Sequence, residues 1–122
     1  MSKKILLVDD DPGVHLLVVP ALSRGGYLAI SAKNGEQALQ LALNERPDLI
    51  ILDVIMPGIK GRELCKKIKA YEVLKDIAVI FLTAKDSEDD VQAELEAGAL
   101  THLTKPVNPT ELLQTIERII GK

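Results

Sequence analysis

Short hydrophobic runs recur along the 122-residue chain and predict its strands. Continuous runs rich in β-branched residues occur at 5–8, 49–52 and 77–82, a pattern typical of strands buried on both faces. Apolar and polar side chains instead alternate at 28–32 and 100–104. Because alternation leaves one face wetter, we expect these two strands at the edges of a sheet.

Helical periodicity fills the segments between and after these strands. The predicted helices extend over about 12–24, 35–45, 61–72, 88–97 and 109–120. Capping residues support three of the starts. Asp11 precedes Pro12 at a first helical position, and Asn34 and Asn108 each begin a variant of the capping box.

Two glycines and one proline bear on the helix ends. Gly25 and Gly98 lie where the C-terminus of a helix favours a left-handed residue. Pro20 falls inside the first predicted helix, where a proline costs ~3 kcal/mol or kinks the helix. We therefore predict a bend or an early end of that helix.

A strand followed by a helix, repeated five times, predicts a parallel sheet with right-handed crossovers and helices on both faces. With the continuous runs inside and the alternating strands outside, the simplest strand order is 2-1-3-4-5. The predicted fold class is therefore α/β, a flavodoxin-like doubly wound (βα)5 domain. Ligands of such folds bind beyond the carboxyl ends of the strands, at the switch point between strands 1 and 3.

Composition predicts one globular domain over residues 1–122, since 47% hydrophobic and 27% charged residues exclude the disordered class. The net charge of −3 and the pI near 5.4 argue against a nucleic-acid partner. The single cysteine, Cys65, fits a reducing compartment, so a cytoplasmic location is expected. Only four apolar residues follow Lys3 and Lys4, too few for a signal peptide or a membrane span, so no membrane association is expected.

Polar side chains collect where the predicted strands end. They are Asp9, Asp10 and Asp11 after the first strand, Asp53 after the third, Thr83 after the fourth and Lys105 after the fifth. Carboxylates packed closely repel one another, so a cation is expected among them. Mg²⁺ fits best, because it takes one or two carboxylates together with phosphate oxygens. An ammonium and a hydroxyl suit a phosphoryl group, and one aspartate then remains as the nucleophile that forms an aspartyl phosphate.

Each of these residues alone has an ordinary structural explanation. An acidic run after a strand is usually a turn or a helix cap, which is how we interpret Asp11. Asp53, Thr83 and a Lys-Pro pair each indicate no more than a loop or a turn. Their joint occurrence at four strand ends of one fold is what indicates function.

The chain resembles a response-regulator receiver domain of bacterial two-component signalling, from Lys4 to Ile120. The resemblance rests on the stretches 5–11 (ILLVDDD), 47–58 (PDLIILDVIMPG), 81–84 (FLTA) and 98–106 (GALTHLTKP). It implies that Asp53 is the phosphoacceptor and that Asp9 and Asp10 hold Mg²⁺, Asp10 directly and Asp9 through water.

Further roles are implied by the same resemblance. The backbone carbonyl of Ile55 corresponds to a third protein ligand of Mg²⁺, for which Mn²⁺ is an alternative. Thr83 corresponds to the switch hydroxyl, Lys105 to the phosphoryl-binding lysine, and a cis peptide is implied between Lys105 and Pro106. His102 stands where the family usually has a Tyr or Phe that rotates with the threonine, a second switch position. Similar histidines occur in single-domain intermediates of sporulation-type phosphorelays, and an edge-strand histidine without a role is the alternative.

The resemblance implies a signalling switch rather than an enzyme, one that catalyses only its own phosphorylation and dephosphorylation. Its phosphodonor would be a sensor histidine kinase or a histidine phosphotransfer protein. Phosphorylation would change the surface formed by the predicted helix 88–97, strand 100–104 and helix 109–120. A downstream effector or an output domain outside this chain would respond, with the chain a monomer or a phosphorylation-linked dimer. Ile55 and Lys85 occupy positions that tune dephosphorylation in the family, so an altered phosphoryl lifetime is expected.

The first predicted helix carries more apolar positions than one buried stripe needs. They are Val14, Leu16, Leu17, Val18, Val19 and Leu22. Two interpretations are open: part of this surface docks the helical bundle of a phosphodonor, or the helix is packed on two sides.

Two other functions are weighed against the switch. An aspartate-nucleophile phosphatase would want a second acid two residues after the nucleophile, where Ile55 stands, and a cap domain for which the chain has no room. A phosphorylation-independent scaffold normally has a broken acidic site, whereas this one is intact. Turnover of small phosphate esters separates a phosphatase from a receiver, which retains one phosphoryl group per chain.

Overall fold

Nine helices and strands are found in the computed structural model, which describes residues 2–54, 56, 58–83 and 96–122. In chain order they are β1 Lys4–Val8, α1 Pro12–Arg24, β2 Leu28–Ala32, α2 Gly35–Glu45, β3 Leu49–Asp53, α3 Gly61–Ala70, β4 Ala78–Thr83, β5 Thr101–Thr104 and α4 Pro109–Ile120. Their bounds lie within two residues of those predicted. The helix predicted over 88–97 falls outside the described residues except for its last two positions.

The five strands form one sheet in which every pairing is parallel, in the order β2-β1-β3-β4-β5. This confirms the predicted α/β doubly wound fold and its strand order. In the register, Val8 pairs with Leu52, and Leu52 pairs with Phe81. The three central strands therefore finish at nearly the same level, and the residues that follow them emerge side by side.

Alternate residues of the central strands face two separate hydrophobic clusters, as the period of two in a strand requires. Ile50 and Leu52 pack with residues of α2 and α3, whereas Leu49 and Ile51 pack with residues of α1 and α4. All of β3 is buried, while β2 and β5 are only partly buried, which confirms the predicted edge positions. Within the described ranges, no helix has both the length and the apolar character needed to span a bilayer.

Side-chain caps fix three helix starts, as predicted. The Asp11 carboxylate accepts a hydrogen bond from the amide of Gly13 at 2.9 Å, and the Asn108 side chain accepts one from Glu111 at 3.1 Å. Asn34 likewise accepts from the Gln37 amide at 2.8 Å. The Gln37 side chain in return accepts from the amide of Lys33 rather than from that of Asn34, so the reciprocal bond of a standard capping box is shifted by one residue.

Of the predictions about helix ends, the one made for Gly25 is wrong. Gly25 keeps a right-handed conformation (φ −77°), and Gly26 takes the left-handed one (φ 90°), because the Gly25 amide still donates to the carbonyl of Ala21. Of the bend or early end predicted at Pro20, the early end does not occur, since α1 continues to Arg24. Pro20 and Leu16 lie on the exposed face of the helix, so the carbonyl that loses its amide partner is on the solvent side. Gly98 has φ 106°, as predicted.

Cys65, on α3, is fully buried. Burial raises the pKa of its thiol to about 11, and the nearby charge of Lys69 lowers it by less. Because the thiolate is the reactive form of cysteine, this thiol is inert at neutral pH.

Candidate functional site

Three carboxylates converge at the carboxyl ends of β1 and β3. Asp9 and Asp10 follow β1, Asp53 ends β3, and one oxygen from each of the three lies within 4.8 Å of the others. Asp9 is 0% exposed and Asp53 is 5% exposed, whereas Asp10 is exposed. The pairing of Val8 with Leu52 sets this convergence, because it brings the next residue of each strand to the same level.

Lys105 brings a positive charge into this cluster. Its Nζ lies 3.1 Å from Asp9 Oδ2 and 3.3 Å from Asp53 Oδ1. The Lys105 amide donates to the carbonyl of Thr83 at 2.7 Å, which continues the pairing of β4 with β5, and the peptide bond to Pro106 is cis, as expected. Burial lowers the pKa of Lys105, but its side-chain contacts with Asp9 and Asp53 and the negative charges of these two carboxylates together raise it above its ordinary value.

The donor set suits a hard divalent cation. Asp9 Oδ1 accepts a hydrogen bond from the Asp11 amide at 2.9 Å. Asp9 Oδ2 is buried and, within the described part of the chain, accepts no well-aligned hydrogen bond, so the Lys105 ammonium is its electrostatic partner. Three carboxylates then face one ammonium, an excess of negative charge that an oxygen-seeking cation such as Mg²⁺ would neutralise.

The remaining predicted residues are distributed as follows. Thr83 is the last residue of β4, at the same end of the sheet as the carboxylates, and follows Leu82, the residue that pairs with Asp53. It is 5% exposed. His102 is a partly buried residue of β5 and pairs with Phe81, two positions before the end of that strand. Ile55, the predicted backbone ligand, lies outside the described residues, as does Lys85.

Gly61 belongs to the site, although its sequence context predicts only the start of a helix. Its amide donates to the carbonyl of Val54 at 3.0 Å. A Cβ atom at this position would lie 2.2 Å from the Asp53 carbonyl oxygen and 2.9 Å from Val54 Cα. The start of α3 is therefore pressed against the backbone that carries Asp53, and only glycine leaves room for this approach. A glycine at the first helical position after the Asp53 loop was the available signal.

Gly61→Ala is expected to displace the backbone of Asp53 and so disturb the carboxylate cluster. We expect it to lower the free energy of unfolding by about 1–3 kcal/mol, as for other overpacked sites, and to weaken Mg²⁺ binding several-fold in a calorimetric titration. Gly98→Ala is the control. Because Gly98 has a positive φ, this substitution should also lower the free energy of unfolding, by about 1–2 kcal/mol. The added methyl group would approach Lys69 and not the backbone of Asp53. Mg²⁺ binding by Gly61→Ala equal to that of wild type would contradict the expectation.

The raised pKa of Lys105 predicts a loss of stability at high pH when no metal is bound. A lysine that holds its proton more tightly in the folded state contributes its full stabilisation below its unfolded pKa of about 10.4, and this is lost as pH rises through the folded pKa. Burial and the charge of Glu117 also raise the pKa of Tyr27. Loss of the Tyr27 proton at high pH therefore likewise lowers the stability of the folded chain. Urea unfolding in EDTA from neutral pH to about pH 11 should therefore show a smaller decline for Lys105→Met than for wild type, and equal declines would refute this.

Known proteins resemble this chain in sequence and in fold. The model of the response regulator receiver domain matches residues 5–117. The chain is 42% identical over 122 residues to the alkaline phosphatase synthesis transcriptional regulatory protein PhoP of Bacillus subtilis, covering 100% of this chain and 50% of that protein. It is 38% identical over 120 residues to sporulation initiation phosphotransferase F of the same organism, covering 98% of this chain and 95% of that protein. The chain thus spans about half the length of the first relative and nearly all of the second.

A solved structure shows the same similarity in three dimensions. The receiver domain of the sensor histidine kinase PA1611 from Pseudomonas aeruginosa PAO1 is 31% identical, with a TM-score of 0.91 over 100% of both chains, and has a magnesium ion coordinated in its active site cleft. Receiver domains interact with histidine kinases or phosphotransfer proteins and bind Mg²⁺ at an acidic cluster. The phosphatase and scaffold alternatives are not favoured. The chain therefore belongs to the response regulator receiver domain family and is a phosphorylatable signalling switch.

Proposed function

We propose that residues 1–122 act as a single receiver unit in which Asp53 accepts the phosphoryl group. The observation that carries this is the position of Asp53 at the end of the central strand, where its carboxylate lies beside those of Asp9 and Asp10 and 3.3 Å from the Lys105 ammonium. The donor would be the phosphohistidine of a sensor histidine kinase or a phosphotransfer protein. We place the exchange in the cytoplasm, in keeping with a lone cysteine that forms no disulfide.

Asp9, Asp10 and Asp53 are the residues proposed to hold Mg²⁺, with Mn²⁺ as an alternative, and the Ile55 carbonyl remains a predicted further ligand. The bound ion would neutralise charge on the phosphoryl oxygens and on the crowded carboxylates. The buried Asp9 Oδ2, which has the Lys105 ammonium as its electrostatic partner, supports this assignment.

The transfer step uses the chain's own side chains. A carboxylate oxygen of Asp53 attacks phosphorus, the new O–P bond forms as the P–N bond of the phosphohistidine breaks, and the imidazole nitrogen leaves with the electron pair. Lys105 is placed to neutralise charge on the transferred group, because its ammonium already contacts Asp53. Catalysis by the chain would thus be limited to its own phosphorylation and dephosphorylation.

Thr83 and His102 are proposed to relay the phosphorylated state. Thr83 ends β4 next to Asp53, and its hydroxyl would hydrogen-bond the phosphoryl group once that group is present. His102 lies on the neighbouring edge strand, so a shift of Thr83 would alter the surface of β5 and α4, to which the helix predicted over 88–97 is expected to contribute. An effector or output domain that reads this surface, or a phosphorylation-linked dimer, would complete the switch. Shifting such an equilibrium from 1:99 to 99:1 takes about 5.5 kcal/mol of differential interaction.

The mass of the intact wild-type chain after incubation with acetyl phosphate tests the proposal. With Mg²⁺ we expect the gain of one phosphoryl group per chain, and with EDTA none. The same reaction is run with a small phosphate ester to look for turnover. Continuous release of phosphate would indicate a phosphatase, and no labelling under any condition would indicate a scaffold; either result would overturn the proposed function.

The exposed apolar face of α1 is the proposed docking surface for the helical bundle of the donor. Leu16 is 78% exposed and Leu17 is 42% exposed, and α1 begins directly after the acidic turn. A partner seated on this face would therefore lie beside the phosphorylation site. Exposed apolar side chains in such a patch mark interaction surfaces.

Leu16→Ser is expected to slow phosphotransfer from a donor protein by about tenfold or more, the effect of losing an apolar contact worth roughly 1.5 kcal/mol. Labelling by acetyl phosphate should be unchanged, because that small donor needs no docking surface. The donor used is the kinase that phosphorylates wild type fastest in a panel of purified sensor kinases. Leu28→Ser, on β2 and 49% exposed, is the control. A donor rate equal to that of wild type would place docking elsewhere.

A further inference from the structure

His15 makes a hydrogen bond to the turn that carries the acidic pair. It lies in the first half of α1, and its Nε2 is 2.7 Å from the backbone carbonyl oxygen of Asp9. A carbonyl oxygen can only accept, so Nε2 carries the proton and donates. The other ring nitrogen, Nδ1, is buried and has no hydrogen-bond partner within the described part of the chain.

Three hydrogen bonds hold Asp9, two at its backbone and one at its carboxylate. Its amide donates to Ala32 of β2 at 3.2 Å, its Oδ1 accepts from the Asp11 amide at 2.9 Å, and its carbonyl accepts from His15. The bond from His15 ties this turn to α1 through a side chain of the helix itself. It restrains the peptide unit between Asp9 and Asp10, and so the direction in which the exposed Asp10 carboxylate emerges.

Packing alone does not account for an imidazole at this position. An apolar side chain could fill the same space without burying any polar atom. His15 instead buries Nδ1 without a hydrogen-bond partner in the described part of the chain, which is unfavourable. The donor at Nε2 is what the imidazole contributes that an apolar residue of similar size would not. Removing a group that hydrogen-bonds to a metal-binding residue and orients it typically weakens metal binding by 10–100-fold.

We propose that His15 is a positioning residue for the metal-binding turn: its Nε2–H donor fixes the Asp9 carbonyl and thereby presets Asp9 and Asp10 for the cation. The inference rests on the proposed function, in which these two aspartates hold Mg²⁺. His15 itself touches neither the cation nor the phosphoryl group in this role.

Three variants and two measurements test the inference. His15→Leu and His15→Phe remove the donor while keeping an apolar body, and His15→Gln keeps a donor at a similar distance from the backbone. We expect about tenfold weaker Mg²⁺ binding for the first two in a calorimetric titration and binding within about twofold of wild type for His15→Gln. Urea unfolding in EDTA is measured in parallel, because a purely structural role would lower stability there and leave the Mg²⁺ affinity of the folded chain unchanged.

The outcomes separate this inference from the proposed function. Absence of Mg²⁺ binding by wild type would overturn the proposed function, and with it this inference. Binding by wild type together with equal binding by His15→Leu or His15→Phe would overturn the role of His15 alone. Equal weakening by all three variants would likewise overturn it, since the retained donor would then have made no difference. If His15→Leu fails to fold, the comparison of His15→Phe with His15→Gln gives the same decision.

Discussion

Asp53→Asn is expected to abolish labelling by acetyl phosphate in the presence of Mg²⁺, because an amide cannot supply the attacking carboxylate oxygen. The substitution keeps the size of a side chain that is only 5% exposed. It also removes one of three carboxylates that crowd within 4.8 Å, while Lys105 keeps its contact with Asp9. The free energy of unfolding in EDTA should therefore be no lower than that of wild type. Intact mass and urea unfolding provide the two readouts.

Asp48→Asn is the matched control for this result. Asp48 precedes the opposite end of the same strand, where it is exposed and accepts a hydrogen bond from the Lys4 amide at 2.7 Å. We expect this variant to be labelled as wild type is. Equal labelling of Asp53→Asn and wild type would move the acceptor to another residue.

Lys105→Met is expected to slow phosphorylation by acetyl phosphate by about 10²-fold or more, the range for removing one preorganised group that stabilises transition-state charge. Methionine keeps an unbranched apolar chain and loses the ammonium that lies 3.1 Å from Asp9 and 3.3 Å from Asp53. Without metal, the buried Asp9 loses its cationic partner, so the free energy of unfolding in EDTA should fall by about 1–3 kcal/mol.

The same variant should bind Mg²⁺ at least as tightly as wild type, because a positive charge that competes with the cation has been removed. Tighter metal binding combined with slower phosphorylation is a pattern that general unfolding does not produce. Lys67→Met, which removes an exposed lysine of α3, should match wild type in both measurements. Weaker Mg²⁺ binding by Lys105→Met would show that the lysine organises the carboxylates instead of competing with the cation.

Much of this architecture could be predicted because local pattern and tertiary structure agree. The continuous apolar run at 49–52 of β3 and the alternating edge strands β2 and β5 were enough to order the sheet. The order in turn placed the residues after each strand at one end, so the proximity of Asp9, Asp53 and Lys105 was foreseeable from topology alone.

What could not be predicted depends on distances that no local pattern encodes. The hydrogen bond from His15 to the Asp9 carbonyl requires the orientation of α1 relative to the preceding turn. The contact of Gly61 with the Asp53 backbone requires the path of a loop that returns onto its own strand. Whether α1 continues past Pro20 depends on which face of the helix meets solvent. The left-handed conformation falls on Gly26 and not on Gly25 because of one additional backbone hydrogen bond, from the Gly25 amide to Ala21.

The buried, weakly acidic thiol on α3 has a practical consequence for spectroscopy. Since Cys65 is the sole cysteine, fully buried and with a pKa of about 11, thiol-directed probes should leave it untouched while the chain is folded. A spin label or fluorophore can then be attached at an introduced surface position such as Lys67→Cys without first replacing the native residue, and movements accompanying activation can be followed in an otherwise unaltered background.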